Sequence, residues 1–298
     1  MIKRTLYFGN KTYLHTKNKQ LIVEYDDAET KAVPIEDIGF IVLDHYQITI
    51  SHTLISKLLS NNVAVITTND KHMPQGMILN LDGNSIQGER FTSQLNASQP
   101  LKKQLWQQTV QSKIKNQARL LDEQPNVRTN IMYHLADSTL SGDTLNHEGQ
   151  AAAYYWKHLF GDDVEMFKRG RFEDKPNNLL NYGYAILRAV VARSLVGSGL
   201  LPTQGIHHHN RYNSYPLADD IMEPYRPFVD DLVLDIMERF DDYSELTIEI
   251  KTELLQIPVI DIEIDKKKRP LMHATQITSA SLVECFAGTR KRIKYPVL

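Results

Sequence analysis

Three consecutive histidines, His207, His208 and His209, precede an acidic group made of Asp219, Asp220 and Glu223. Imidazole with carboxylates and no thiolate is the donor set of a hard or borderline divalent ion. It suits Mg2+ or Mn2+ better than structural zinc, and the histidine tilts the choice toward Mn2+. An ion held with open coordination positions polarises a phosphate and brings an attacking oxygen into line, so phosphodiester chemistry is the reaction class that this pattern suggests. The residue types do not say which histidine would be the ligand. A histidine in a loop as rich in Asn, Ser and Pro as "NRYNSYP" is more often a packing or exposed residue.

A further carboxylate, Glu148, lies sixty residues before His208. Asn146 predicts a helix N-cap, and Glu148, Ala151, Ala152, Tyr155 and Leu159 then recur at steps of three and four on one helical face. An acid in a first helical turn also has the plain explanation of favouring the helix dipole. Residues 219–240 form a second helical pattern with the apolar face Ile221, Tyr225, Phe228, Leu232 and Ile236. Asp220 and Glu223 stand off that face, three residues apart. Pro224 and Pro227 stiffen the chain around them, and Arg226 can pair with a carboxylate or reach a phosphate.

The elements that must position these side chains fall into two blocks. The first eighty or so residues carry short runs of β-branched and aromatic residues such as "RTLYFG", "QLIVEYD", "IGFIVLD" and "VAVITTN", separated by turn sequences. One short helix, "SHTLISKLLSNN", interrupts them with Ser51 as its cap. From about residue 98 the period changes. Trp106, Val110, Ile114, Ala118 and Leu121 mark one face of a long helix whose other faces carry Lys102, Lys103, Lys113, Lys115 and Arg119. Residues 178–197 predict another helix. Strands followed by helices imply an α+β multidomain chain: a β-rich N-terminal domain over 1–85, a linker over 86–100, and an α-helical domain over 101–298 that carries the site. The 298 residues hold 42% hydrophobic and 23% charged residues and a net charge of −2, so any nucleic acid must meet a local basic surface. A single cysteine, Cys285, excludes an internal disulfide. The first residues lack a signal-peptide pattern and Arg188 and Arg193 break the most apolar stretch, so a soluble, cytoplasmic protein is expected.

The segments "LNHEGQAAAYYWKHLF", "NNLLNYGYAILRA", "GLLPTQGIHHHNRYNSYPLADDIMEPYRPFVD" and the opening "RTLYFGNKTYL" together resemble the CRISPR-associated adaptation integrase, in its type II form, over essentially the whole chain. The resemblance implies a β-sandwich-like N-terminal domain that dimerises and a larger all-α catalytic domain. It implies that Glu148, His208 and Glu223 are the catalytic metal ligands, with Asp220 close to the site; its motif leaves the roles of His207 and His209 open, and both read as loop or packing histidines. It further implies metal-dependent joining of the 3′-hydroxyl of captured duplex DNA into the CRISPR repeat. The implied partners are double-stranded DNA, a second copy of the chain, a small ferredoxin-like adaptation partner, and the type II effector nuclease with its DNA-clamping subunit. Arg211, Arg226, Lys168, Arg169 and Arg171 are then candidates for phosphate contact. The basic run 266–269 and the tail residues Arg290, Lys291, Arg292 and Lys294 are candidates for DNA or partner contact. Without the resemblance, a phosphohydrolase acting on small phosphoesters and a non-catalytic helical protein with helix-start acids both remain open.

Overall fold

The β-branched runs form strands β1 (Arg4–Phe8), β2 (Tyr13–Lys17), β3 (Gln20–Glu24), β4 (Lys31–Pro34), β5 (Ile38–Leu43), β6 (Thr49–Ile50), β7 (Ala64–Thr68) and β8 (Pro74–Ile78), with α1 (His52–Ser60) between β6 and β7. The structure, a computed structural model, describes residues 3–26, 29–161, 167–170 and 175–298. The chain divides into two compact units, Met1–Ser85 and Ile86–Leu298.

In the first unit the strands build two four-stranded sheets, in the orders β1-β5-β7-β8 and β4-β3-β2-β6. Leu14, Leu21 and Val23 from one sheet share a core with Phe8, Ile38, Ile41 and Val65 from the other, and Leu54 and Leu58 of α1 join it. The sheets are mixed, because β1, β5 and β7 run parallel. Parallel neighbours need a crossover, and α1 lies in the one between β5 and β7. β8 carries no run of β-branched residues. It opens with Pro74 and pairs antiparallel to β7 at the edge of its sheet, where a missing N–H is tolerated.

The second unit contains α2 (Gln87–Leu95), α3 (Gln99–Asp122), α4 (Asn130–Ser138), α5 (His147–His158), α6 (Asn177–Gly197), α7 (Pro216–Met222), α8 (Arg226–Arg239), α9 (Ile248–Leu254), strands β9 (Asp261–Ile264) and β10 (Lys267–Pro270), and α10 (Leu271–Phe286). Helix α6 is buried on nearly every side, and α3 packs against α4, α5 and α8. Beyond α10 the tail lies along α3. Tyr295 shares a hydrogen bond with Thr109 (2.7 Å), and Asn116 Nδ2 donates to the carbonyls of Pro296 (3.2 Å) and Pro224 (2.8 Å). Among the described residues no helix is long and apolar enough to cross a membrane.

Two expectations need correction. Residues 86–100 are not a linker: they hold α2 and the start of α3. "NASQP" is a helix start rather than a flexible joint, since Ser98 caps α3 by accepting from Leu101 N and Pro100 sits in the first turn, where its missing N–H costs nothing. The Gln94 side chain then fixes α2 to residue 201, donating to its carbonyl and accepting from its N–H. The second unit is also not all-α. The β9–β10 hairpin buries Ile262 and Ile264 and turns through Asp265 and Lys266, both at positive φ. The strand alternation of "DIEI" was masked by the lysine run beside it.

Candidate metal centre

Glu148 stands in the first turn of α5. Asn146 adopts a left-handed conformation there and accepts from Gly149 N, while the carboxylate of Asp143 accepts from His147 N (2.8 Å) and Glu148 N (3.0 Å). The helix start is thus doubly capped, and Glu148 is held with 23% of its side chain exposed.

Glu223 lies where residues 219–240 were expected to run as one helix. The chain instead forms α7, a 3-10 turn over Glu223–Tyr225, and α8. Pro224 and Pro227 supply no N–H to continue the ladder, which explains the break. Glu223 is almost fully buried at this junction.

The histidine loop is organised by Asp220, whose side chain has no exposed surface. One of its oxygens accepts from the N–H groups of Ile206 (2.7 Å) and His207 (3.0 Å). The other accepts from His208 N (3.2 Å) and lies 2.5 Å from His208 Nδ1. Gly205 is required at this bend, because a Cβ there would meet the His208 carbonyl at 2.5 Å and Asp220 Oδ2 at 2.8 Å. With Nδ1 engaged, Nε2 is the nitrogen of His208 left to a ligand. The hydrogen bond to Asp220 raises the His208 pKa against the opposing effect of burial. His207 instead stacks flat on Trp106 of α3, with centroids 4.1 Å apart, and its pKa is lowered by burial and by His208 beside it. Neither Asp219 nor Asp220 is a solvated acid: Asp219 accepts from Arg188 (2.6 Å) and Asn213 (2.7 Å).

The sequence pattern places Lys113 on the polar faces of α3, and the structure corrects this. Its position, seven residues after Trp106, returns it to the Trp106 side of the helix. That spacing was the available signal. Its ammonium lies 2.7 Å from Glu148 Oε1 and 2.6 Å from Glu223 Oε2. Burial alone would lower the Lys113 pKa, but the two carboxylates reverse the shift and raise it. Burial would raise the Glu223 pKa, yet Arg226 and Lys113 hold it at about 2. Arg226 Nε is 2.9 Å from Glu223 Oε1, and the Arg226 guanidinium lies 4.5 Å over the Tyr184 ring.

A cavity of about 150 Å³ opens beside this cluster, lined by Lys113, Gln117, Trp156, Arg169, Tyr184 and Arg226. Deeper in its wall, Asp230 accepts from the hydroxyls of Tyr155 (2.8 Å) and Tyr184, and burial pushes its pKa up to about 6. No sequence signal marks this group, since Tyr155 reads as an ordinary stripe residue.

Of the other candidate phosphate contacts, Arg169 lines the cavity with its guanidinium bonded to Asn177, Asn181 and the Gly170 carbonyl. Arg211 is exposed in the histidine loop and lies over its neighbour Tyr212. Lys168 is exposed, and Arg171 falls outside the described residues. The lysines of the 266–269 run project from the β9–β10 hairpin, whereas Lys294 is paired with Asp265 and Arg290 with Glu284.

Among the described residues no three His, Cys, Asp or Glu side chains are gathered as a ready-made metal cluster. The residues nevertheless fit a divalent ion. Two carboxylates from separate elements share one cationic neighbour, and Glu223 Oε2 is buried beside that ammonium without the angular geometry of a hydrogen bond. The histidine has its second ring nitrogen buttressed by a carboxylate, the usual support of a metal-ligating imidazole.

The family model described as "CRISPR associated protein Cas1" matches residues 6–242. The chain is 38% identical over 268 residues to the CRISPR-associated endonuclease Cas1 of Neisseria meningitidis serogroup C (strain 8013), covering 90% of this chain and 86% of that one. Its fold is similar to a casposase solved bound to its integration product, with a TM-score of 0.80 at 17% identity over 98% of this chain and 92% of the other. It also matches a chain of a Cas6-RT-Cas1–Cas2 complex, with a TM-score of 0.76 at 20% identity over 97% of this chain and 35% of that one.

Proposed function

This chain belongs to the CRISPR-associated Cas1 family, and from that premise we propose that it is a metal-dependent DNA endonuclease and integrase that joins the 3′-hydroxyl ends of captured DNA into the CRISPR repeat. One observation carries the reading: Glu148 and Glu223, brought from different elements, converge on a single cation position within electrostatic reach of His208. Glu148, Glu223 and Nε2 of His208 would hold the Mg2+ or Mn2+. When bound, the ion supplies Lewis-acid activation of the attacking hydroxyl and stabilises charge on the phosphate and the leaving oxygen.

The protein's own groups do the rest. Asp220 holds the His208 ring and its loop in one orientation. Arg226, fixed by Glu223 and by the face of Tyr184, presents a guanidinium to the cavity that a phosphate would enter, with Arg169 on the same wall. Water in place of the hydroxyl gives hydrolysis at the same site. Transesterification passes through no covalent enzyme intermediate, so no serine or cysteine nucleophile is required. Likeness to a casposase bound to an integration product supports strand joining over simple phosphoester hydrolysis. Likeness to a chain of a Cas1–Cas2 complex supports a small adaptation partner. A homodimer formed through the N-terminal unit, double-stranded DNA as substrate, the type II effector nuclease and DNA-clamping subunit as further partners, and a cytoplasmic site of action complete the proposal.

The test is a strand-joining assay with labelled duplex DNA and a repeat-containing plasmid. Glu148→Gln, His208→Ala and Glu223→Gln are expected to abolish joining in Mg2+ or Mn2+, while His207→Ala retains much of it. Joining that persists in chelator would overturn the mechanism. An active His208→Ala beside an inactive His207→Ala would overturn the ligand assignment.

A further inference from the structure

Lys113 stands where two ion-binding carboxylates meet, and that placement has a chemical consequence. Its ammonium touches Glu148 Oε1 and Glu223 Oε2 at 2.7 and 2.6 Å, so those oxygens are no more than about 5.3 Å apart. Magnesium–oxygen bonds are shorter, about 2.0–2.1 Å. A metal ion between the same two oxygens would take the space the ammonium fills, and two cations cannot share it.

We infer that Lys113 is a built-in counter-cation: it occupies the metal position in the metal-free protein, and divalent ion binding is an exchange in which the ammonium is displaced. This deepens the proposed function and rests on its reading of Glu148 and Glu223 as ion ligands. Three observations support the exchange. The side chain is only 11% exposed and reaches the carboxylates from α3, a different element from both. Without it, two ionised carboxylates would face each other in a largely buried site, a costly arrangement that the ammonium relieves. The cavity lined by Lys113 itself, Gln117, Arg169 and Arg226 gives the displaced ammonium a place to go, on the wall assigned to phosphate. The same side chain would then serve the carboxylates before the ion arrives and the DNA afterwards. As a positioning residue, it keeps Glu148 and Glu223 converged while no ion holds them.

The probe is Mn2+ alone, titrated calorimetrically into the full chain without DNA, with thermal unfolding recorded in parallel. Removing the competitor in Lys113→Met is expected to tighten Mn2+ binding about tenfold or more, corresponding to about 1.4 kcal/mol. The metal-free variant is expected to unfold at lower temperature than wild type and to gain more from saturating Mn2+ than wild type gains. Lys113→Gln, which keeps a hydrogen-bonding end, carries the same test where the methionine variant does not fold. Lys113→Arg retains the charge and is expected to bind Mn2+ no more tightly than wild type. Equal or weaker Mn2+ binding by both neutral variants would overturn the exchange, provided that Glu148→Gln and Glu223→Gln weaken it. Unchanged Mn2+ binding in Glu148→Gln and Glu223→Gln would instead overturn the ligand assignment beneath it.

Discussion

Replacing Asp220 should separate the support of the histidine loop from the chemistry of the site. In Asp220→Ala three backbone N–H groups and the His208 Nδ1 position lose their shared partner at once. Ile206 is buried, so its N–H is left without water and costs about 1–3 kcal/mol. His207 and His208 are more accessible, and each lost charge-assisted bond there costs about 1 kcal/mol after water replaces it. Over the four lost bonds the total is about 4–6 kcal/mol. At about 2–4 °C per kcal/mol for a domain of this size, the melting temperature should fall by about 15 °C. Asp220→Asn keeps the shape but aims an amide N–H2 at donors, so it should lose less stability while still disordering the loop. Loss of a carboxylate that orients a ligand histidine usually lowers metal affinity or activity by about 10–100-fold, and that is the effect expected on Mn2+ affinity and on strand joining. The assays are thermal unfolding, hydrogen exchange at Ile206, His207 and His208, Mn2+ titration and strand joining. Faster exchange at those three amides together with wild-type Mn2+ affinity and joining would refute the reasoning, because the loop would then not need its anchor.

Two further outcomes follow from the same region. Gly205→Ala pushes a methyl group against the His208 carbonyl and Asp220 Oδ2, and overpacking of this kind costs about 1–3 kcal/mol; a Tm and Mn2+ affinity both equal to wild type would contradict it. Asp230 has a folded-state pKa near 6 against an ordinary 3.8, so the folded chain keeps a proton that the unfolded chain loses between those values. Its contribution to stability is therefore fully present below about pH 4, falls as pH rises toward 6 and is flat above. The drop is about 3 kcal/mol at most, from about 1.4 kcal/mol per pKa unit. Asp230→Asn should flatten that part of the urea-unfolding profile, and an unchanged difference between pH 4.5 and pH 7 would count against it.

The sequence showed most where a local rule had a local cause. Asn146 and Ser51 read as caps, and both accept the backbone N–H three residues on. The period of three and four located α3 and α5, because each buries an apolar face, and the apolar run over 178–197 located α6, which is buried on nearly every side. Pro224 and Pro227 announced a disturbance near Glu223, though not that the helix would divide around it. Less was visible where meaning depends on a partner distant in the chain. Lys113 looks like any helix lysine until Glu148 and Glu223 are placed beside it. Asp220 looks like a helix-start acid until the loop at 205–208 folds over it. The acceptor role of Asp230 requires tyrosines from α5 and α6. Charge hid the β9–β10 hairpin, and the lack of a run of β-branched residues hid β8.

Trp106 and Trp156 are the two tryptophans of the chain, and both adjoin the site, one under the ring of His207 and the other in the wall of the cavity. The intrinsic fluorescence of this protein is therefore a local signal rather than an average over the molecule. Emission from one indole reports the posture of the histidine loop, and emission from the other reports what enters beside Arg169 and Arg226. With Trp156→Phe or Trp106→Phe leaving a single indole, arrival of an ion and arrival of a nucleic-acid strand can be timed separately, without an added label, by the light that the remaining tryptophan emits.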